Sequence, residues 1–360
     1  MKRWPIRRFV FLLLLARAVA SRAQTDRTDT LILQKLREHK IPGLQLAVVH
    51  KGEIIKWGNY GWANLQDSIP VSDKTVFTIN SITKAFTGVA LMQLAEAFKL
   101  NLNDPVSKYL RDLPLNWRQI RIHQLLSHTS GLPDIIDPEE STLIASEPEE
   151  AWAKLIAMPV LHKAGERFVY NQTNYLLLGR IIDTVSGMPF INFIQKEQLQ
   201  KIPMPKTLAS GFGASRDLVP NAAVGYRYSR GKLVNTYFAF PPVLQSAAGM
   251  SSTAREMAEW IIALQNFTLL KKPETLQRMW TAAKLNNGET GGFDSLLNGY
   301  GAGWVIVSRA KHPAYAAVGG GKSALFIYPE DDLSIIILTN LNGAFPERFI
   351  DQIASLYFND

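Results

Sequence analysis

Phe77-Thr-Ile-Asn-Ser81-Ile-Thr-Lys84-Ala-Phe-Thr-Gly88 decides how this chain is read, because a long helix begins inside it. From Ser81 to about Phe98, the apolar residues Ala85, Phe86, Val89, Ala90, Leu91 and Leu94 recur with helical spacing. Residues three apart on a helix share a face, so Lys84 reaches the Ser81 hydroxyl. The first turn of a helix has unpaired N–H groups and a partial positive charge, which favour an incipient alkoxide. A serine hydroxyl attacks poorly until a neighbouring base takes its proton. Taken alone, the four residues also read as a serine N-cap followed by a solvated lysine.

Two more Ser-x-x-Lys runs occur, Ser229-Arg-Gly-Lys232 and Ser308-Arg-Ala-Lys311. The first holds a glycine in a polar loop and the second sits where a strand ends, so neither opens a helix. Ser81 and Lys84 are therefore the candidate nucleophile and its proton partner.

Outward from this segment the pattern is strand-rich at both ends and helical between them. Asp29 to His39 is amphipathic, and Gly43–Val49 and Ile54–Tyr60 flank His50-Lys51-Gly52 as a strand pair joined by a tight turn. Short helical pieces fill about residues 100 to 245, with a stronger helix from Thr173 to Ser186 that stops at Gly187. Thr253 to Gln265 is helical. Gly303–Ser308, Ser323–Tyr328 and Ser334–Thr339 read as strands, and Pro346 to Tyr357 as a closing helix. The expected fold class is α/β (α+β): an antiparallel sheet built from both chain ends, flanked by helices, with an all-helical insertion. The α/β part covers about residues 24–95 and 245–360, and the helical part about 96–244. Such a division leaves a cleft where the parts meet, a common place for a ligand.

Further segments carry a resemblance. Ile122-His-Gln-Leu-Leu-Ser-His128-Thr-Ser-Gly131-Leu-Pro133, Gly165-Glu-Arg-Phe-Val-Tyr170 with Asn174-Tyr-Leu-Leu-Leu-Gly179, Ala248-Gly-Met-Ser-Ser-Thr-Ala254, Tyr300-Gly-Ala-Gly-Trp304 and Leu333-Ser-Ile-Ile-Ile-Leu-Thr-Asn340 join the Ser81 segment. Together, in this order and over roughly residues 30 to 355, they resemble the serine beta-lactamase and penicillin-binding-protein superfamily. The similarity is to its class C beta-lactamase-like branch, with its esterase and D-aminopeptidase relatives. The resemblance implies a serine hydrolase that is acylated on Ser81 by an ester, amide or lactam carbonyl and released by water. It implies a small-molecule or peptide substrate with a scissile carbonyl, and no cofactor. It also makes the His128 segment a structural loop at a helix end, with Gly131 as turn residue and Ser127, Thr129 and Ser130 bonding to backbone. His123 and His128 as a metal pair lack a third ligand at a recognisable spacing.

The chain departs from the family pattern twice. The Tyr-x-Asn element reads Tyr170-Asn171-Gln172, so Tyr170 is a candidate proton shuttle beside Lys84, and Gln172 an amide one methylene longer that can hold Lys84 or the substrate carbonyl. Whether Lys84 or Tyr170 is the acylation base stays open. The Lys/His-Thr/Ser-Gly element is replaced, counting back from Pro329, by Ala317-Val318-Gly319, followed by Gly320 and Gly321. The usual cation is missing, and Lys322 lies too far along the chain to stand in. Gly319 is expected to line the substrate, and the amides of Gly320 and Ser81 to form the oxyanion hole. Loss of the cation favours neutral esters or amides over penicillins. The altered elements also allow a catalytically retired scaffold that binds a ligand or a protein partner.

Composition bounds the rest. The 360 residues are 47% hydrophobic and 19% charged, which fits a globular chain with a large core. Lys2, Arg3, Arg7 and Arg8, then the apolar run Phe9–Ala16, then Ser21-Arg22-Ala23 read as a secretory signal over residues 1–23, cleaved after Ala23. The expected location is periplasmic or secreted, with no membrane attachment once the signal is removed. Those residues hold six of the basic side chains and no acidic one, so the formal +8 falls to +2 for residues 24–360 (8 − 6 = 2). That balance gives no electrostatic case for nucleic acid. With no cysteine, the chain has no thiol nucleophile, no disulfide and no Cys-based zinc site.

Overall fold

The computed structural model describes residues 27–358 except 138, 140, 141, 214–217, 238 and 239. The expected export signal, residues 1–23, lies outside the described residues.

Helix α1 (27–39) leads into the hairpin of β1 (Gly43–His50) and β2 (Glu53–Asn64). Lys51 and Gly52 turn it with φ of +52° and +76°, the left-handed pair that suits a two-residue hairpin. The short strands β3 (Ile69–Pro70) and β4 (Phe77–Thr78) follow. A single 3₁₀ turn, Asn80–Ile82, then runs into α2 (Thr83–Glu96). The middle of the chain holds α3 (Ile122–Leu126), α4 (Pro148–Ala157), α5 (Gln172–Ser186), α6 (Phe190–Glu197) and α7 (Pro205–Ser210). It also carries a hairpin, β5 (Gly225–Ser229) and β6 (Lys232–Thr236), whose turn is Arg230-Gly231. After β7 (Ser251–Ser252) come α8 (Ala254–Gln265) and α9 (Pro273–Met279). The chain finishes with β8 (Gly299–Tyr300), β9 (Val305–Val307), β10 (Ala314–Gly319), β11 (Ser323–Tyr328), β12 (Leu333–Thr339), β13 (Leu341–Asn342) and α10 (Ile350–Ala354).

The main sheet has eight strands in the order β3-β2-β1-β12-β11-β10-β9-β8, all antiparallel. Both chain ends build it, because β1 pairs with β12 through Leu46 opposite Ile337 and Val48 opposite Ile335. Strand alternation sorts the side chains onto two faces. Leu46, Val48, Ile335 and Ile337 share one core with Ile32 of α1 and Ile350 and Ile353 of α10. Ala47, Val49, Ile336 and Leu338 share the other with Phe86 and Val89 of α2 and Met257 and Ile261 of α8. Both faces are covered, which is why β12 is apolar without interruption from Ile335 to Leu338.

Two pairings fix the segment ahead of Ser81. Strand β4 pairs with β7, Phe77 opposite Ser252 and Thr78 opposite Ser251, and the Ile79 N–H donates to the Met250 carbonyl at 3.0 Å. On the other side the Ser323 hydroxyl donates to the Ile79 carbonyl at 3.0 Å. Gly319 lies so close that a Cβ there would be 2.2 Å from that same oxygen, so only glycine fits the end of β10.

Candidate active site

Ser81 sits in the 3₁₀ turn that opens α2, half-buried, and Lys84 lies one turn on with no exposed surface. The Lys84 Nζ donates to Ser81 Oγ at 3.2 Å, to Gln172 Oε1 at 2.9 Å and to the Ala247 carbonyl at 2.9 Å. All three N–H directions of an ammonium are thus used, and one of them is the path to the nucleophile. Burial lowers the Lys84 pKa to about 7, against a smaller upward pull from the Asp134 carboxylate. A large share of the amine is therefore neutral near neutral pH, the form that accepts a proton.

Tyr170 is half-buried, with its ring centroid 4.8 Å from the Lys84 Nζ. Its pKa is raised above the ordinary phenol value by burial, with a smaller opposing effect from its hydrogen bond with Ser81. The phenol is therefore protonated over the working pH range and suited to passing a proton, while the lower pKa of Lys84 makes the amine the better base. The His128 ring packs against Tyr170, tilted by 41°, with centroids 4.2 Å apart. His128 is fully buried, and its Nδ1 accepts from the Asn171 N–H at 3.3 Å and the Asn174 side-chain amide at 3.1 Å. Burial, helped by the charge of Lys84, holds its pKa far below the usual imidazole value. His128 is therefore a neutral prop behind Tyr170.

The loop around His128 docks on the start of α5. Asn171 caps that helix by accepting from the Asn174 N–H at 3.0 Å, and its amide donates to the Leu132 carbonyl at 2.9 Å. The Ser130 hydroxyl donates to Asn174 Oδ1 at 2.6 Å, the Leu132 N–H donates to Ser130 Oγ at 3.2 Å, and Ser127 Oγ donates to the His123 carbonyl at 2.8 Å. Thr129 differs from the backbone-bonding expectation, since its hydroxyl meets the Ser127 hydroxyl at 3.0 Å. Gly131 turns the loop at φ +80°. These bonds place Gln172 where its amide reaches Lys84.

Asp134 was not legible as a site residue. Its Oδ1 accepts from the N–H groups of Gln172 at 3.0 Å and Ile136 at 3.2 Å. Burial raises its pKa, opposed by those backbone bonds and by Lys84. The sequence signal is an Asp directly after Pro133, two residues before the amide it caps, a common Asx turn that usually means only local structure.

The opposite wall is the end of β10. Ala317 is buried in the core, Val318 is half-buried, and neither supplies a cation. Gly319 is buried and its carbonyl closes the turn by accepting from the Lys322 N–H at 2.9 Å, whereas Gly320 is exposed at φ +55° against the Asn80 side chain. Among the described residues no hydrogen bond within the protein takes the Ser81 or Gly320 amide, which leaves both available to a carbonyl oxygen. Lys322, in the turn after β10, reaches Thr78 Oγ1 with its Nζ at 3.4 Å. Among the described residues no group of three or more His, Cys, Asp or Glu side chains is placed to hold a metal. The sequence also contains Tyr357-Phe-Asn359, a Tyr-x-Asn match, but the Tyr357 hydroxyl bonds to Thr28 at 2.7 Å, away from Ser81.

Known proteins are similar to this chain over most of its length. The family model described as Beta-lactamase matches residues 28–357. Protein flp of Staphylococcus aureus (strain MRSA252) is 28% identical over 338 residues, which is 92% of this chain and 66% of that protein. The chain thus spans just under two thirds of that relative's length. The octameric penicillin-binding protein homologue from Pyrococcus abyssi is 26% identical with a TM-score of 0.78, covering 92% of this chain and 76% of that one. EstCE1, a hydrolase with promiscuous acyltransferase activity, has the same fold at 22% identity and a TM-score of 0.78, covering 95% of this chain and 100% of its own.

Proposed function

Since the chain belongs to the beta-lactamase family, we propose that it is a serine hydrolase working through an acyl-enzyme on Ser81. The observation that carries the proposal is a fully buried amine, with a pKa near 7, within 3.2 Å of a hydroxyl at the start of a helix.

In the proposed mechanism neutral Lys84 takes the Ser81 proton as Oγ bonds to the carbonyl carbon. The carbonyl oxygen becomes an oxyanion held by the Ser81 and Gly320 N–H groups. Collapse breaks the bond to the leaving oxygen or nitrogen, which receives a proton from Tyr170, and Tyr170 is reprotonated from Lys84. Water then attacks the acyl-enzyme and gives its proton to the same pair, and as the bond from the acyl carbon to Oγ breaks the pair returns that proton to Ser81 Oγ, releasing the acid. Gln172 and the Ala247 carbonyl keep the amine aimed throughout. With alanine at position 317, no side chain on β10 provides the carboxylate-binding cation, which favours esters and amides over penicillins as substrates. The signal-like residues 1–23 support export to the periplasm or beyond.

Intact-mass spectrometry tests this. The protein is incubated in parallel with a fluorophosphonate, a 4-nitrophenyl ester and a penicillin, with Ser81→Ala as control. A Ser81-dependent adduct with ester turnover and no lasting penicillin adduct is expected. A stable penicillin adduct indicates a penicillin-binding protein instead. No adduct from any of the three supports a retired scaffold that binds without chemistry.

A further inference from the structure

A cavity of about 390 Å³ opens beside the nucleophile segment, between β4 and the β5–β6 hairpin. Its wall includes Phe77, Thr78, Asn80, Met250, Thr236 and Lys322. Asn80 immediately precedes Ser81, with about 3.8 Å between their Cα atoms, so the cavity begins one residue along the chain from Ser81. Leu218 and Tyr237 stand exposed at its rim.

Lys322 is the one charged side chain among the described residues of this wall. It is 8% exposed, and among the described residues its Nζ makes a single long hydrogen bond, 3.4 Å to Thr78 Oγ1. An ammonium has three donors, so two of them lack a partner among the described residues. Lysine is almost never buried without a partner, because removing its charge from water is costly. Burial alone accounts for its lowered pKa, about 8, and no carboxylate among the described residues opposes that shift. The rest of the wall combines apolar surface with a few hydroxyls and amides, the make-up of a small-molecule pocket.

We propose that this cavity receives the acyl part of the substrate and that Lys322 binds an anionic group, a carboxylate, at its far end. The preferred substrate is then the half-ester or half-amide of a dicarboxylic acid. The scissile carbonyl lies at Ser81, a short apolar chain runs past Asn80 and Met250, and the free carboxylate reaches the amine. Binding supplies a counter-ion that the described residues do not provide. This inference rests on Ser81 being the acylated residue, and it differs from the family's carboxylate anchor on β10, which this chain lacks.

Two 4-nitrophenyl esters of equal chain length separate the outcomes: the glutarate monoester and the valerate ester, which differ by a carboxylate in place of a methyl group. Wild-type protein is expected to prefer the glutarate monoester about tenfold or more in kcat/KM. In Lys322→Met that preference disappears while valerate turnover stays within about threefold of wild type. A glutarate-to-valerate ratio that is the same in both proteins overturns the proposal. If Lys322→Met fails to fold, a wild-type ratio below one overturns it alone. If neither ester is turned over, the hydrolase reading fails and free glutarate decides the cavity. Thermal stabilisation of wild type and Ser81→Ala by millimolar glutarate, absent in Lys322→Met, upholds the carboxylate site at Lys322 without the half-ester substrate, and no stabilisation of either overturns both.

Discussion

The start of α2 and the turn between β10 and β11 each bury a lysine, and the two regions treat it differently. Lys84 has three acceptors within 3.2 Å and a carboxylate, Asp134, whose field reaches it. Among the described residues Lys322 has one distant hydroxyl. Desolvation lowers both pKa values, to about 7 and about 8. The difference is in what each surrounding is complete for. The Lys84 pocket is finished without a ligand, so its amine is aimed and ready to move a proton. The Lys322 pocket is unfinished, so its amine waits for an anion. Burial alone therefore does not identify a catalytic lysine; the number and direction of its acceptors do.

Of the two amines, removing the complete one has the larger effect on rate. Lys84→Met is expected to lower kcat/KM for a 4-nitrophenyl ester by about 10³-fold, because general-base catalysis contributes about 10²–10⁴. Ser81→Ala removes the reaction altogether. A Lys84→Met enzyme within tenfold of wild type places the base elsewhere, with Tyr170 next in line. Wild-type kcat/KM is expected to rise as pH increases through about 7, since Lys84 must lose its proton to act.

Next in size is the Gln172 amide. Gln172→Leu takes away an acceptor that holds the amine at 2.9 Å and favours its charged form. Activity is expected to fall about tenfold from lost aim. The midpoint of the pH–rate rise moves below that of wild type, because the charged amine is less well supported. Gln172→Asn, which restores the family's shorter amide, recovers part of the rate. A midpoint that moves upward contradicts the assigned role of the Gln172 oxygen.

Stability separates the two lysines in the opposite direction. Lys322→Met is expected to stabilise the protein by about 1–2 kcal/mol at pH 7, since it replaces an unpaired buried cation with an apolar side chain of similar length. The folded pKa near 8 lies below the unfolded value of about 10.4, so the unfolded chain binds more protons between these pH values. Wild type therefore gains stability as pH rises through that window, and the advantage of Lys322→Met shrinks. Lys84→Met gains less at pH 7, because it strands the Gln172 and Ala247 oxygens. Denaturant melts of the three proteins at pH 7 and 10 measure this, and an equal gain from both variants erases the distinction.

How much of this the sequence carries depends on how far the partners are separated along the chain. Ser81 and Lys84 are legible because three residues on a helix define a face. The strands from β10 to β12 follow from their apolar runs, and α5 from its periodicity and the glycine that ends it. Tyr170 and Gln172 reach Lys84 from nearly ninety residues away, so only the resemblance marks them. The Ala247 carbonyl is invisible, because every residue has one. Hairpin β5–β6 is hard to see because its strands are mostly half-buried or exposed, with no alternation of buried side chains, and β5 is held by a parallel pairing to β13 at Leu341. Lys322 looks like any turn lysine until the fold closes β4 over it.

The smallest effect is the most specific test of the comparison. Asp134 touches neither Ser81 nor Lys84 through any hydrogen bond, yet its carboxylate raises the Lys84 pKa against the effect of burial. Asp134→Asn keeps an oxygen that can accept from the Gln172 and Ile136 N–H groups, so the start of α5 stays in place. Only the charge is removed, and the Lys84 pKa is expected to fall further below its ordinary value. The pH–rate midpoint then moves down, by less than in Gln172→Leu, while kcat/KM at pH 8, where most of the amine is already neutral, changes by no more than about threefold. The Lys322 pocket has no such carboxylate among the described residues, so the same variant leaves the preference for glutarate over valerate unaltered. A shift in that preference would mean that the two amines share one electrostatic environment, and the separation drawn between their pockets would be lost.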